Sequence, residues 1–261
     1  MVELSVTDAS FSYAAADFSL RNISFQISSG EICCLLGPNA SGKTTLIKFI
    51  AQIIGPGNGR IFFDDRDLLT LQPIELAKLI AYVPQIHIAS FPYKVIDMVL
   101  MGRNPYVNFF SAPKKRDLEM STKALSILGL EGIQNRIYTE LSGGQQKLVL
   151  MARALAQETP LMLLDEPTAH LDIRNSLLIL NSITKLVKEK KIIVLMALHD
   201  PNEALLVADK VVMMKDGQII AEGIPKNVLT PESIKEIYDV RVEIVSSFNR
   251  RIVVSSLDSL L

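Results

Sequence analysis

Residues 37–44 read Gly37, Pro38, Asn39, Ala40, Ser41, Gly42, Lys43 and Thr44, an instance of the pattern G-x-x-x-x-G-K-S/T placed between two apolar runs. Ahead of it, residues 31–36 (EICCLL) have the length of a strand covered on both faces. Behind it, residues 43–54 (KTTLIKFIAQII) have the length of a helix stopped by Gly55 and Pro56. The glycines permit a tight backbone path whose N–H groups face the α- and β-phosphates of a nucleotide, and the helix N-terminus adds a favourable dipole. Lys43 is a point charge able to reach the β- and γ-phosphates, and Thr44 offers a hydroxyl to Mg²⁺. A glycine-rich turn without a ligand is the bland alternative, and the flanking strand and helix disfavour it.

Covered strand-like runs recur at 161–164, 192–197 and 211–214, with helical segments near 144–157, 173–187 and 201–208. That alternation predicts an α/β fold, a P-loop core with a mostly parallel sheet. Ile23, Phe25 and Ile27 alternate with Ser24, Gln26 and Ser28, and Val2, Leu4 and Val6 repeat the period. Together with the run GRIFF at 59–63, these predict an N-terminal antiparallel β layer. Between about 87 and 142 buried-strand runs give way to helical ones, which predicts an inserted helical subdomain within a single domain spanning 1–261. Residues 210–221 read as a hairpin around Asp216 and Gly217. A tail over about 223–261 opens with a helix from Pro231 to about Tyr238, capped by Thr230, and residues 242–254 add a strand or two.

Composition narrows the classes. A chain of 261 residues with 49% hydrophobic and 21% charged residues can build a large core, which excludes disorder for its bulk. Its 27 basic and 28 acidic side chains give 27 − 28 = −1, so no general basic field draws it to nucleic acid, and no nucleic-acid partner is expected. Cys33 and Cys34 stand side by side in an apolar run, a spacing that suits reduced core residues and neither a disulfide framework nor a metal site. No stretch approaches 18 consecutive apolar residues, and residues 1–10 show neither a basic nor a hydrophobic leader region. The expectation is therefore a chain that does not span a membrane, although a mean hydropathy of +0.28 suits a subunit that hides apolar surface against a partner.

A second chemical site lies at Asp165 and Glu166, two acids closing the buried run LMLL. The carboxyl end of a strand is where α/β ligands sit. There Asp165 would hold Mg²⁺ while Glu166 polarises the water that attacks the γ-phosphorus. His199 closes another buried run, LMALH, and would emerge at the same kind of edge, near the γ-phosphate or its water. The bland alternative for Asp165 and Glu166 is an acidic strand end capping the next helix; for His199 it is a satisfied structural histidine.

Leu141, Ser142, Gly143, Gly144 and Gln145 form the pentapeptide LSGGQ, which ends 20 residues before Asp165. With these motifs the chain resembles, over essentially its full length, the nucleotide-binding subunit of an ABC transporter. The resemblance implies ATP and Mg²⁺ as cofactors and hydrolysis of ATP to ADP and phosphate. It implies that Ser142, Gly143, Gly144 and Gln145 bind the γ-phosphate of ATP held by a second copy, in a head-to-tail sandwich. It further implies that Tyr13 stacks on adenine and that Gln85 reaches the Mg²⁺ and the attacking water. Asp172 matches a loop that crosses the dimer interface. By the same resemblance the subunit sits at the cytoplasmic face of the membrane against a permease dimer. The region 87–142 would touch that permease, with the stretch after Gln85 as lever. An extracytoplasmic binding protein would act through the permease.

One departure falls at Gln146 and Lys147, where many relatives have an arginine nearby; it is expected to leave the chemistry untouched and to alter contacts to the transmembrane subunit. Residues 100–106 (LMGRNPY), 160–172 and 230–238 are similar to ATPases of importers for iron-siderophore complexes, haem or cobalamin, a group whose relatives carry molybdate or tungstate. The competing readings are a molybdate or tungstate importer, an exporter subunit and a soluble, non-transport ABC ATPase. A GTP switch is disfavoured because no N-K-x-D motif occurs.

Overall fold

The computed structural model describes residues 2–13, 19–55, 57–85, 91–107, 111–247 and 250–255. The chain forms two compact units, one from Met1–Thr70 with Ile193–Leu261 and the other from Leu71–Ile192.

The first unit begins with β1 (Glu3–Ser12), β2 (Ser19–Ser28), β3 (Ile32–Leu36), α1 (Lys43–Ile50), β4 (Asn58–Phe63) and β5 (Arg66–Asp67). Strands β2, β1, β4 and β5 pair in that order as an antiparallel sheet, the layer expected from the alternation. Ile23, Phe25 and Ile27 are buried while Ser24 and Gln26 face solvent, because successive residues of a strand point to opposite faces. Helix α1 is shorter than the apolar run that predicts it. Gln52 takes a left-handed φ of 54°, and the N–H groups of Gln52 and Ile53 donate back to Phe49 O at 3.0 Å and Lys48 O at 2.9 Å. This is a Schellman stop made without glycine, so the sequence carries no sign of it.

The second unit contains α2 (Pro73–Leu79), β6 (Ile80–Val83), α3 (Val95–Leu100), α4 (Lys115–Ile127), α5 (Gly143–Gln157), β7 (Leu161–Asp165) and α6 (Ile173–Lys190). Strand β6 pairs in parallel with β7, from Ile80 opposite Leu161 to Val83 opposite Leu164. Four residues (IAYV) directly following a helix, with no turn residue between, gave β6 no sequence signature. Helices α3 and α4 both pack on α5, burying Val95, Met98, Val99, Leu125, Leu148 and Val149. Arg103 is buried among them: its Nε donates to Asp117 Oδ1 at 3.1 Å, and one terminal nitrogen donates to Ala156 O at 2.7 Å and Glu158 Oε2 at 3.2 Å. The guanidinium also lies 4.3 Å from the Tyr106 ring centroid. Residues 86–90 and 108–110, part of the expected permease-facing segment, lie outside the described residues.

The chain completes the first unit with β8 (Ile193–Ala197), α7 (Pro201–Val207), β9 (Lys210–Lys215), β10 (Gln218–Gly223), α8 (Pro225–Val228), α9 (Pro231–Tyr238), β11 (Val242–Ser247) and β12 (Arg250–Ser255). Strand β3 lies between β8 and β9, parallel to both, and β10 pairs antiparallel with β9 through the expected hairpin. Asp216 and Gly217 have φ of 49° and 75°, the doubly left-handed geometry of a tight hairpin turn. Cys33 and Cys34 are fully buried in β3, and desolvation pushes both thiols well above their ordinary range. Thr230 caps α9, its Oγ1 accepting from Ser233 N at 3.2 Å. No helix among the described residues is long and apolar enough to cross a membrane.

Candidate nucleotide site

In the first unit, β3 and β8 run side by side with Leu35 opposite Ala197, so both strands release their loops at one sheet edge. From β3 comes Gly37, and from β8 come Leu198, whose N–H donates to Leu35 O at 3.0 Å, and then the exposed His199. The loop between β3 and α1 turns through positive φ at Gly37 (155°), Ala40 (63°) and Gly42 (106°). A Cβ on Gly37 would lie 2.1 Å from the carbonyl oxygen of Met214, so this position admits only glycine. Lys43 is buried, and its Nζ donates to Gly37 O at 2.6 Å and Pro38 O at 3.0 Å, which holds the cation over the loop. Ser41 Oγ is buried with no hydrogen-bond partner. A cation, an orphaned hydroxyl and the first N–H groups of α1 make a donor set that fits a polyphosphate. Thr44 follows in the first turn of α1. Tyr13 is 38% exposed and sits edge-on to Phe11 at 4.8 Å, leaving much of its surface open; residues 14–18 beside it lie outside the described residues.

In the second unit, the parallel register of β6 and β7 sends Gln85 and the pair Asp165 and Glu166 out at one edge. Asp165 and Glu166 are only 1% and 6% exposed, which makes these carboxylates depend on neighbouring donors. Glu166 has a left-handed φ of 52°, an unfavourable backbone for a non-glycine residue. Gln85 Nε2 donates to Glu166 Oε2 at 2.5 Å. Behind that contact, Lys147 Nζ donates to Gln85 O at 2.9 Å and Pro84 O at 3.3 Å. Burial lowers the Lys147 pKa, and the Asp165 and Glu166 charges oppose that shift. On β6, burial and then the Asp165 charge push the Tyr82 hydroxyl up to about 12.

Helix α5 opens at Ser142, whose Oγ accepts from Gln145 N at 3.3 Å while Gln145 Oε1 accepts from Ser142 N at 3.3 Å. Ser142 and Gly143 are exposed. Gly144 lies against the loop before α6, since a Cβ there would meet Leu171 at 3.4 Å. Asp172 caps α6, accepting from Asn175 N at 2.7 Å and Asn175 Nδ2 at 3.0 Å. Ile173 beside it is 82% exposed, an apolar side chain left on the surface.

Of the sequence-predicted residues, the structure brings Gln85, Asp165 and Glu166 into one cluster and sets Ser142, Gly143, Gly144, Gln145 and Asp172 at two neighbouring helix starts. It places Gly37, Pro38, Asn39, Ala40, Ser41, Gly42, Lys43 and Thr44 with His199 at the edge of the other unit's sheet. Sequence reasoning assigned no site role to Lys147 or Tyr82; only the departure at Gln146 and Lys147 drew attention to the former.

A family model described as ABC transporter matches residues 20–169. A Helicobacter pylori protein carrying the name "Probable iron chelatin transport ATP-binding protein" is 37% identical over 96% of this chain and 98% of its own length. The molybdate import ATP-binding protein of Haemophilus influenzae is 35% identical over 90% of this chain and 87% of its own length. A solved structure described as "An inward-facing conformation of a putative metal-chelate type ABC transporter" superposes with a TM-score of 0.86 at 32% identity, covering both chains completely.

Proposed function

Because the chain belongs to the ABC transporter ATP-binding family and is an ATPase coupled to transport, we propose that it powers import of a metal chelate, an iron-siderophore, haem or cobalamin complex, through a membrane permease. The observation that carries the chemistry is the buried Glu166 carboxylate receiving the Gln85 amide at 2.5 Å beside Asp165. Glu166 takes a proton from the attacking water, Gln85 orients that water, and His199 donates to the γ-phosphate. Gly37 to Thr44 wrap the α- and β-phosphates with backbone N–H groups, and Tyr13 stacks on adenine. Thr44, Gln85 and Asp165 are the groups that would hold Mg²⁺, whose charge would offset that developing on the phosphate oxygens.

Replacing Lys43 by alanine removes a buried cation from this loop, so ATP affinity falls by about 10-fold or more, as expected for a lost charge-assisted contact. Isothermal titration with ATP and Mg²⁺ measures it, and an unchanged dissociation constant contradicts the role given to Lys43.

Two copies associate head to tail, each offering Ser142, Gly143, Gly144 and Gln145 to the γ-phosphate held by the other, with Asp172 crossing between them. The exposed Ser142, Gly143 and Ile173 support this reading, since one chain alone leaves an anion-binding helix start and an apolar side chain on the surface. The permease rests on the segment 87–142, where Phe91, Tyr93 and Tyr106 are 62%, 42% and 41% exposed. An extracytoplasmic binding protein delivers the cargo through the permease, and this chain stays peripheral at the cytoplasmic face.

The molybdate relative keeps an oxyanion cargo as the second reading. Uptake into vesicles holding the chain, its permease and ATP separates the two: ferric siderophores, haem or cobalamin accumulate under the proposal. Accumulation of molybdate alone rejects it.

A further inference from the structure

Helix α5 carries a cation that the hydrolytic chemistry does not use directly. Lys147 lies one turn into α5, only 8% exposed, and its Nζ donates to the carbonyls of Pro84 at 3.3 Å and Gln85 at 2.9 Å. The same Gln85 sends its side-chain Nε2 to Glu166 Oε2. A single chain of contacts therefore runs from α5 through the Gln85 backbone to the carboxylate that activates water, all inside one compact unit.

We propose that Lys147 is a positioning residue that clamps the backbone at Pro84 and Gln85, setting the Gln85 amide against Glu166 and linking α5 to the hydrolytic step. The inference rests on the ATPase reading above and names a residue within its machinery. A buried ammonium has few places to put its three donors, and two carbonyls of one loop satisfy two of them. Holding both carbonyls fixes the peptide from which the Gln85 side chain extends, so a small shift at the start of α5 moves the amide relative to Glu166. Such a contact can carry a change at one helix to a reacting group, provided that the two are energetically coupled.

Steady-state ATP hydrolysis by the full-length chain tests that coupling with Lys147→Met, Lys147→Arg, Gln85→Ala and the Lys147→Met/Gln85→Ala pair. Lys147→Met is expected to lower kcat about 10-fold with KM for ATP changed by less than about twofold, and Lys147→Arg, which can still reach two carbonyls, to recover most of that loss. In the Gln85→Ala background the methionine should cost less than about twofold, because the amide it positions is already gone. A kcat for Lys147→Met within about twofold of wild type, or losses that multiply in the pair, overturns the proposal. Thermal melting accompanies each variant. Should Lys147→Met fail to melt cooperatively, Lys147→Leu, which also lacks a donor, replaces it in the same cycle, under the same two criteria. Absence of hydrolysis by the wild-type chain rejects the underlying ATPase reading instead, so the two failures are distinguishable.

Discussion

Glu166→Gln keeps ATP binding and loses turnover by about 10²- to 10⁴-fold, the range for removal of a positioned general base. The amide preserves the volume of the side chain in a site where Glu166 is only 6% exposed, and its oxygen can still accept from Gln85 Nε2. What it loses is the negative charge able to draw a proton from water. Titration with ATP and phosphate release measured side by side check both halves. Near-normal hydrolysis assigns water activation to another group, and lost binding shows that Glu166 acts in the ground state.

Arg103→Ala should cost about 3 kcal/mol of unfolding free energy, the scale for breaking a buried ion pair from one side. The Arg103 and Asp117 side chains are 5% and 8% exposed, so the carboxylate left behind keeps its charge with little access to water. The same truncation orphans Ala156 O at the C-terminal end of α5. Glu158, whose side chain is 39% exposed, adds little. The Lys114 backbone N–H chiefly, and Arg103 in addition, hold the Asp117 carboxyl below its ordinary value. Its contribution is thus complete above the usual carboxylate pKa and is lost as pH falls through the depressed folded value. Denaturant unfolding at neutral pH should show the full difference between wild type and variant, and acidification below about pH 4 should narrow it. A difference under about 1 kcal/mol at neutral pH would make the cluster a surface-like ion pair.

The sequence announced the parts of the fold whose physics is local. The run from 31 to 36 followed by Gly37 and Lys43 placed β3, the loop and α1, and the alternation at Ile23, Phe25 and Ile27 placed the antiparallel layer. Thr230 and Pro231 located α9, and Asp216 with Gly217 located the hairpin. The misses are of another kind. Helix α1 stops early because Gln52 takes a conformation usually left to glycine, and β6 is only four residues long and grows straight out of a helix. At the site, Gln85 and Glu166 were named separately, but their hydrogen bond joins residues 81 apart and follows from strand register. The Lys147 Nζ reaches carbonyls 62 and 63 residues away, which no local pattern can signal.

In the proposed dimer one ATP is shared between the loop around Lys43 in one copy and the helix start at Ser142 in another. Sedimentation velocity of Glu166→Gln, with and without ATP and Mg²⁺, tests it most directly when repeated in the Ser142→Arg background. Ser142 is exposed at the start of α5, so arginine there costs the single chain its N-cap, about 1 kcal/mol, and adds bulk where a γ-phosphate must approach. Because ATP that bridges two copies favours the dimer by mass action, the nucleotide should convert Glu166→Gln from monomer to dimer and leave the double variant monomeric. A dimer that forms with ATP equally well in both contradicts the shared site.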